Sequence, residues 1–204
     1  MDKRFLLLDF GNVLFEIDFT KTVSALQLLC KQDVEIDFSA NSQLEIFNQF
    51  EIGAFTPKEF INIFRKMYCN DSTSNEQIIS AWNALLLAPF ADAEDVILRL
   101  KKQGYTLALV SNTNEIHLQY FYPKAQSFLK YFNYFFYSHQ IYKRKPNRDY
   151  FEYVLSVMKV TPEQVVYIDD AEQHLVTAKS MGITSYRKKS ENTLSELLHT
   201  VNIL

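Results

Sequence analysis

The chain opens with the apolar run Phe5-Leu6-Leu7-Leu8, which ends at Asp9 and leads into Phe10-Gly11-Asn12. A short apolar run bounded by a glycine-containing turn predicts a buried β-strand. A carboxylate at the carboxyl end of such a strand lies where open α/β sheets bind their ligands. A strand can also end in an aspartate that only caps a turn, so Asp9 alone leaves both interpretations open.

Three later polar clusters favour the functional interpretation of Asp9. Each lies at or soon after the end of a strand-like run, and they are Ser111-Asn112-Thr113-Asn114, Lys145-Pro146 and Asp169-Asp170. Together with Asp9 they supply carboxylates, a hydroxyl, an amide and a cation. These are the groups that phosphoryl transfer through an aspartyl phosphate with a hard metal ion requires.

Composition limits the kinds of protein that this chain can be. Its 204 residues, of which 48% are apolar, are enough for one large domain or for one domain with an insertion. A net charge of −3 gives no sign of nucleic-acid binding. Because no apolar run reaches the length of a membrane span or a signal peptide, we expect a cytoplasmic protein without a membrane partner. It is expected to be a monomer or a small homo-oligomer.

Strand-like runs recur along the chain and alternate with helical patterns in its second half. Gly104 and Gly182 each follow a helical pattern and precede a strand-like run, as glycines at helix C-termini do. Alternating strands and helices predict a Rossmann-like α/β core with a parallel sheet and right-handed crossovers. The predicted strands are 4–9, 105–111, 134–138, 165–169 and 183–187.

Residues 16–88 break this alternation and contain only helical patterns. An α-helical cap domain over 16–88 is therefore predicted to be inserted after the first strand, into a core domain formed by 1–15 and 89–204. A block at this place in the chain would lie above the strand ends and exclude water from a site there. The predicted cap helices are 20–32, 40–51, 57–69 and 75–87, with a buried stripe of Phe60, Ile61, Ile63, Phe64 and Met67.

In order and spacing, the polar clusters resemble the four motifs of haloacid dehalogenase (HAD) superfamily phosphatases. The first motif is Asp9-Phe10-Gly11-Asn12-Val13 with Ile17-Asp18-Phe19, and the other three are the clusters quoted above. The likeness covers essentially the whole chain and is greatest to a bacterial subgroup that includes an α-D-glucose-1-phosphate phosphatase. It implies a Mg²⁺-dependent phosphatase whose substrate is a small phosphorylated metabolite, such as a sugar phosphate or a sugar 1-phosphate.

The resemblance assigns the nucleophile and the metal site. Asp9 would attack phosphorus and would also bind Mg²⁺, which prefers oxygen ligands. The Gly11 carbonyl would be a further ligand. Asp170 would be the acidic ligand, with Asp169 beside it either as another ligand or as its support; the sequence leaves this open.

The resemblance also assigns the groups that bind the phosphoryl oxygens. Ser111 and Asn112 would donate hydrogen bonds to them, with Gly11 and Asn12 in the same phosphate-binding loop. Lys145 would neutralise the phosphoryl group and the nucleophile. Two alternatives in which these residues have only structural roles stay open.

In the first alternative, Ser111 or Asn114 only caps the next helix. In the second, the basic run Lys143-Arg144-Lys145 is a solvated face. Pro146 favours Lys145 within that run, because proline restricts the preceding residue and suits the first turn of a helix.

Two positions depart from the family pattern. Gly11 stands where many relatives place a second aspartate as general acid and base, and His174 stands where relatives often carry asparagine or aspartate. The leaving group could be an acidic anomeric hydroxyl, or Glu16 or Asp18 could supply the proton. For His174 we expect a surface or hydrogen-bonded core position.

Two other functions are compatible with the same fold. A metal-independent dehalogenase would use Asp9 on carbon, but the acidic pair and the absence of an aromatic residue at position 11 argue against it. A non-catalytic binding or regulatory protein is supported only by Gly11 and His174. Neither the substrate nor the oligomeric state follows from the sequence. The candidates for substrate selection are Glu16, Asp18, Phe19, Glu51, Phe55 and Trp82.

Overall fold

The structure is a computed structural model that describes residues 5–31, 35–39, 44–70 and 72–204. Residue 32, where the first predicted cap helix ends, and residues 40–43, where the second begins, lie outside the described residues. The strands in chain order are β1 Phe5–Leu8, β2 Phe15–Ile17, β3 Leu86–Pro89, β4 Thr106–Ser111, β5 Tyr134–Tyr137, β6 Val165–Asp169 and β7 Thr184–Arg187. The helices are α1 Phe19–Gln27, α2 Glu45–Glu51, α3 Pro57–Tyr68, α4 Asn75–Trp82, α5 Ala93–Lys102, α6 Glu115–Leu129, α7 Ser138–Ile141, α8 Arg148–Met158, α9 Glu172–Ser180 and α10 Leu194–Thr200.

Five strands form a parallel sheet in the order β5-β4-β1-β6-β7. The first strand is central because its residues are apolar on both faces. Leu6 and Leu8 pack into one buried cluster and Leu7 into another on the opposite side. The α/β class and the parallel sheet predicted from the sequence are confirmed.

Helices α1 to α4 lie between β2 and β3, which pair as an antiparallel ribbon that the sequence did not predict. The predicted helix over 75–87 was too long, since α4 ends at Trp82 and Leu86 begins β3. Thr22 accounts for this end: its hydroxyl donates to the Ala81 and Trp82 carbonyls and accepts from the Leu85 amide at 2.9 Å. The division into core and cap domains stays a prediction.

The helical segment has an aromatic centre of its own. Trp82 is fully buried, and its ring lies 4.8 Å from that of Phe47 and 5.1 Å from that of Phe60. The predicted stripe on α3 is partly wrong, because Met67 is 54% exposed. Among the described residues, no helix is long and apolar enough to cross a membrane.

Candidate active site

The polar clusters meet at the carboxyl ends of the three central strands. Asp9 directly follows β1, Ser111 is the last residue of β4, and Asp169 is the last residue of β6. All three are buried. Because neighbouring parallel strands end at the same edge, residues more than 150 positions apart come together there.

Lys145 is the centre of the cluster. Its Nζ donates to Asp9 Oδ1 at 2.6 Å and to Asp169 Oδ2 at 2.7 Å, and the residue is 1% exposed. Asn112 holds this lysine in place: its Oδ1 accepts from the Lys145 amide at 2.9 Å, and its Nδ2 donates to the Lys145 carbonyl at 2.8 Å. The Asn112 side chain is therefore engaged with the lysine backbone.

The loop before α8 differs from the sequence-based expectation. Pro146 does not occupy the first turn of that helix, since the N-cap is Asn147 and the helix begins at Arg148. The Lys145–Pro146 peptide bond is cis. The basic run is not one solvated face either, because Lys145 is buried while Lys143 is partly exposed and pairs with Asp149 at 2.7 Å.

Both carboxylate oxygens of Asp169 already have partners within the protein. Oδ2 accepts from Lys145 and from the Tyr167 hydroxyl, and Oδ1 accepts from the Ala171 amide at 2.8 Å. His174 Nδ1 lies 3.1 Å from both oxygens. Of the two predicted positions for His174, the structure shows the hydrogen-bonded one, largely buried at the edge of the site.

Asp170 is held differently from its neighbour. Its Oδ2 accepts from Asn12 Nδ2 at 3.1 Å, while Asn12 Oδ1 accepts from the Ile17 amide at 3.1 Å. Asn12 has a φ of +52°, a left-handed conformation that asparagine tolerates better than most residues. The Asn12 side chain thus bridges Asp170 and the end of β2.

The three carboxylates fit a hard divalent cation. Asp9, Asp169 and Asp170 each offer an oxygen, and these oxygens all lie within 4.8 Å of one another. Carboxylate oxygens are the ligands that Mg²⁺ prefers. Only one buried ammonium group, that of Lys145, contacts this group of three acids within the described residues.

The balance of charges shifts the pKa values of these groups in different directions. Burial raises the pKa of Asp9 well above its usual value, against the effect of Lys145. Burial raises the pKa of Asp169 as well, but Lys145 and His174 outweigh it and the net pKa is lowered. Although burial lowers the pKa of Lys145, Asp169 and Asp9 raise it more, so the lysine carries its charge.

Ser111 and Asn114 have different roles in the structure. The Ser111 hydroxyl lines the pocket beside Asp9 and makes one weak hydrogen bond, to the Asn112 carbonyl at 3.4 Å. Asn114 is the N-cap of α6, because its Oδ1 accepts from the His117 amide at 3.0 Å. Of the two residues considered as helix caps from the sequence, Asn114 has that role.

Ile17 lies where a side chain at position 11 would project. A Cβ added to Gly11 would come within 2.7 Å of Ile17 Cδ1 and 3.9 Å of Asp9 Oδ2. Asp18 and Glu16, the two carboxylates that the sequence suggests as proton donors, do not line the pocket at Asp9. Asp18 caps α1 and accepts from the Thr20 amide and hydroxyl, and these hydrogen bonds lower the Asp18 pKa. Glu16 is exposed and lines a neighbouring cavity with Asn12 and Asp170.

The pocket over Asp9 has a volume of about 90 Å³ and receives side chains from the helical segment. Phe19 and Glu51 line it, whereas Trp82 is buried in the aromatic centre and Phe55 packs at its margin. Arg144, which the sequence suggests to be solvated, also lines the pocket and pairs with Glu51 at 2.9 Å. No sequence signal distinguished Arg144 from Lys143, because the pairing joins segments far apart in the chain.

The fold and the site together define a Rossmann-like hydrolase with an acidic cluster at the sheet edge. Residues 35–187, more than half of the chain, match the family model described as haloacid dehalogenase-like hydrolase. The chain therefore belongs to the haloacid dehalogenase-like hydrolases. The family and the enzyme class predicted from the sequence are confirmed.

Several proteins of known structure or activity are similar to this chain. D-ribitol-5-phosphate phosphatase of Bacteroides thetaiotaomicron is 24% identical over 190 residues, which cover 91% of this chain and 91% of that protein. A HAD family enzyme of the same species, crystallised with magnesium and inorganic phosphate, is 29% identical with a TM-score of 0.83, covering 95% of this chain and 98% of the other. A HAD-like hydrolase of Porphyromonas gingivalis has a TM-score of 0.86 at 23% identity, covering 99% and 98% of the two chains, and shows the shared fold alone.

Proposed function

We propose that this protein is a Mg²⁺-dependent phosphatase that hydrolyses a small phosphorylated metabolite, a sugar or polyol phosphate. The observation that carries the proposal is the buried cluster of Asp9, Lys145, Asp169 and Asp170 at the sheet edge. Relatives named as a ribitol phosphate phosphatase and crystallised with magnesium and phosphate support it. A dehalogenase would need no such acidic group, so the cluster favours the phosphatase.

In the proposed reaction, an Asp9 oxygen attacks phosphorus and the bond from phosphorus to the ester oxygen breaks. The alcohol leaves after taking up a proton, and Asp9 carries the phosphoryl group. Water then attacks the same phosphorus, so that inorganic phosphate leaves and the Asp9 carboxylate is restored. Lys145 and the Ser111 hydroxyl stabilise the charge on the phosphoryl oxygens.

The residues proposed to hold Mg²⁺ are Asp9 and Asp170, with the Gly11 carbonyl. The cation would neutralise phosphoryl oxygens and lower the pKa of Asp9. Because both Asp169 oxygens are engaged within the protein, we assign Asp169 to orienting Lys145.

The proton for the leaving group has no donor at position 11. Because Asp18 caps α1, two explanations remain. Either Glu16 supplies the proton, or the leaving group is acidic enough, as an anomeric hydroxyl is, to depend little on a donor. A Glu16→Gln variant that keeps full activity on sugar 1-phosphates but loses it on alkyl phosphates would assign the proton to Glu16.

The test is phosphate release from a panel of sugar and polyol phosphates, with Mg²⁺ and with chelator. Wild type is compared with Asp9→Asn and, as a matched control, Asp18→Asn, in which asparagine still caps α1. We expect phosphate release by wild type to depend on the metal. It should fall by at least about a thousandfold in Asp9→Asn and be unchanged in Asp18→Asn. The proposal is wrong if wild type releases no phosphate from any ester.

A further inference from the structure

A second small cavity, of about 60 Å³, continues from the Asp9 pocket toward the helical segment. The two cavities share six wall residues, so a molecule bound at Asp9 could extend from one into the other; they are Gly11, Ile17, Phe19, Glu51, Ser111 and Asn112. Most of the remaining wall is apolar. Its apolar residues are Phe10, Phe38, Leu85, Leu86 and Phe121, and Thr113 and His117 complete it.

His117 is the imidazole in this wall. It lies in the first turn of α6 and is 6% exposed. Burial, with a smaller effect of His139, lowers the pKa of His117 to about 3, so the ring is neutral at physiological pH. Its Nδ1 lies 2.9 Å from Asn83 Oδ1. Since an amide oxygen only accepts, Nδ1 carries the single proton and Nε2 is left with its lone pair.

The lone pair of Nε2 has no partner. Nε2 is buried and makes no hydrogen bond within the described residues. One face of the ring is stacked on Trp82, with centroids 4.9 Å apart and planes at 11°. His117 lines the cavity, whereas Trp82 and Asn83 do not. A buried acceptor without a partner is rare in folded proteins, and a ligand hydroxyl is a natural donor for it.

We propose that His117 Nε2 accepts a hydrogen bond from a hydroxyl group in the alcohol part of the substrate. His117 is then a specificity-determining residue that selects hydroxylated phosphate esters, such as polyol and sugar phosphates, over alkyl phosphates of the same length. This inference rests on the proposed phosphatase function. Sites that hydrogen-bond a substrate hydroxyl reject analogues that lack it, because the acceptor is then left unpaired.

The test compares two esters with the same five-carbon chain, ribitol 5-phosphate and n-pentyl phosphate. Wild type should show a ratio of kcat/KM values of at least about a hundred in favour of ribitol 5-phosphate. His117→Phe, which removes the acceptor, should lower that ratio by about tenfold or more while leaving turnover of pentyl phosphate within about threefold. His117→Gln retains an acceptor and should recover part of the ratio.

His139→Phe is the matched control. His139 is largely buried, and within the described residues its Nε2 also makes no hydrogen bond, but it lines neither cavity. The ratio of kcat/KM values for the two esters in His139→Phe should equal that of wild type. If thermal unfolding shows that His117→Phe does not fold, His117→Leu removes the acceptor in its place.

The outcomes separate this inference from the proposed function. Equal losses on both esters in the apolar His117 variants would mean a structural role and overturn the inference, as would a wild type that does not distinguish the esters. In either case phosphate release by wild type would leave the phosphatase function standing. No release from either ester or from the wider panel would reject both.

Discussion

The cluster around Lys145 and the cluster around Trp82 are both buried, but they are built from opposite chemistry. Lys145 lies among carboxylates at the ends of β1 and β6, and its Nζ is within 2.7 Å of an oxygen of Asp9 and of Asp169. Trp82 lies among phenylalanine rings 4.8 to 6.5 Å away at varied angles. The first cluster depends on individual atoms and the second on total volume, so substitutions should affect them in different ways.

The largest effect is expected for Lys145→Met. The variant leaves the carboxylates of Asp9 and Asp169 buried without their cation, which should lower the free energy of unfolding by about 3–5 kcal/mol. Phosphate release should fall by at least about a hundredfold, because a donor to the phosphoryl group is lost. Urea unfolding and initial rates measure the two effects.

Lys143→Met is the control for this substitution. Lys143 pairs with Asp149 at the surface, and such a pair contributes about 0–1 kcal/mol. Equal losses in the two methionine variants would contradict the distinction between the buried and the partly exposed lysine.

The next largest effect is expected for Phe64→Ala in the aromatic centre. Phe64 is fully buried against Phe47 and Phe60, so truncation should cost about 3–5 kcal/mol of stability. Turnover of p-nitrophenyl phosphate by the folded variant should stay within about threefold of wild type, because no group of the site is removed. Met67→Ala, on the same helix but exposed, should change neither quantity. A large loss of turnover in folded Phe64→Ala would show that the two clusters are coupled.

A smaller effect is expected from pH. His117 has a folded pKa of about 3, below the value of about 6.5 in an unfolded chain, so between these values the unfolded state binds a proton that the folded state does not. The contribution of neutral His117 to the free energy of unfolding is complete above about pH 6.5. Below that pH it is lost by about 1.4 kcal/mol per pH unit. Urea unfolding at pH 7, 6 and 5 should therefore give a shallower pH dependence for His117→Phe than for wild type. His139 and His174, whose pKa values burial also lowers, should account for part of the slope that remains. Identical slopes would mean that folding does not lower the pKa of His117.

The smallest effect is expected at Gly11, in the loop after Asp9, where the side chain of Ile17 packs close to the backbone. Gly11→Asp should lower stability by about 1–3 kcal/mol, because its Cβ would come within 2.7 Å of Ile17 Cδ1. Adding Ile17→Ala should relieve the clash and restore part of that loss. If the new carboxylate then supplies the missing proton, the double variant should hydrolyse alkyl phosphates faster than Ile17→Ala alone. A Gly11→Asp variant as stable as wild type would show that Ile17 moves aside at little cost.

The sequence predicted the sheet well and the helical segment less well. Short apolar runs such as Leu6 to Leu8, bounded by turn residues, are typical of strands buried on both faces, and the predicted bounds were correct to within about one residue. The ribbon of β2 and β3 was missed, because three- and four-residue strands have too few positions to show a period. The end of α4 depends on Thr22, which lies 60 residues earlier in the chain than Trp82.

The sequence by itself determined the fold class, the family and the place of Asp9, Ser111 and Asp169, because a polar residue at the end of an apolar strand is a local feature. Only the tertiary structure decided what these residues contact. It placed Asn112 on the backbone of Lys145 and Ile17 beside Gly11, and within the described residues it gave no hydrogen-bond partner to Nε2 of His117, which lines the second cavity. Such contacts depend on distances between segments far apart in the chain, and no local pattern of residues encodes them.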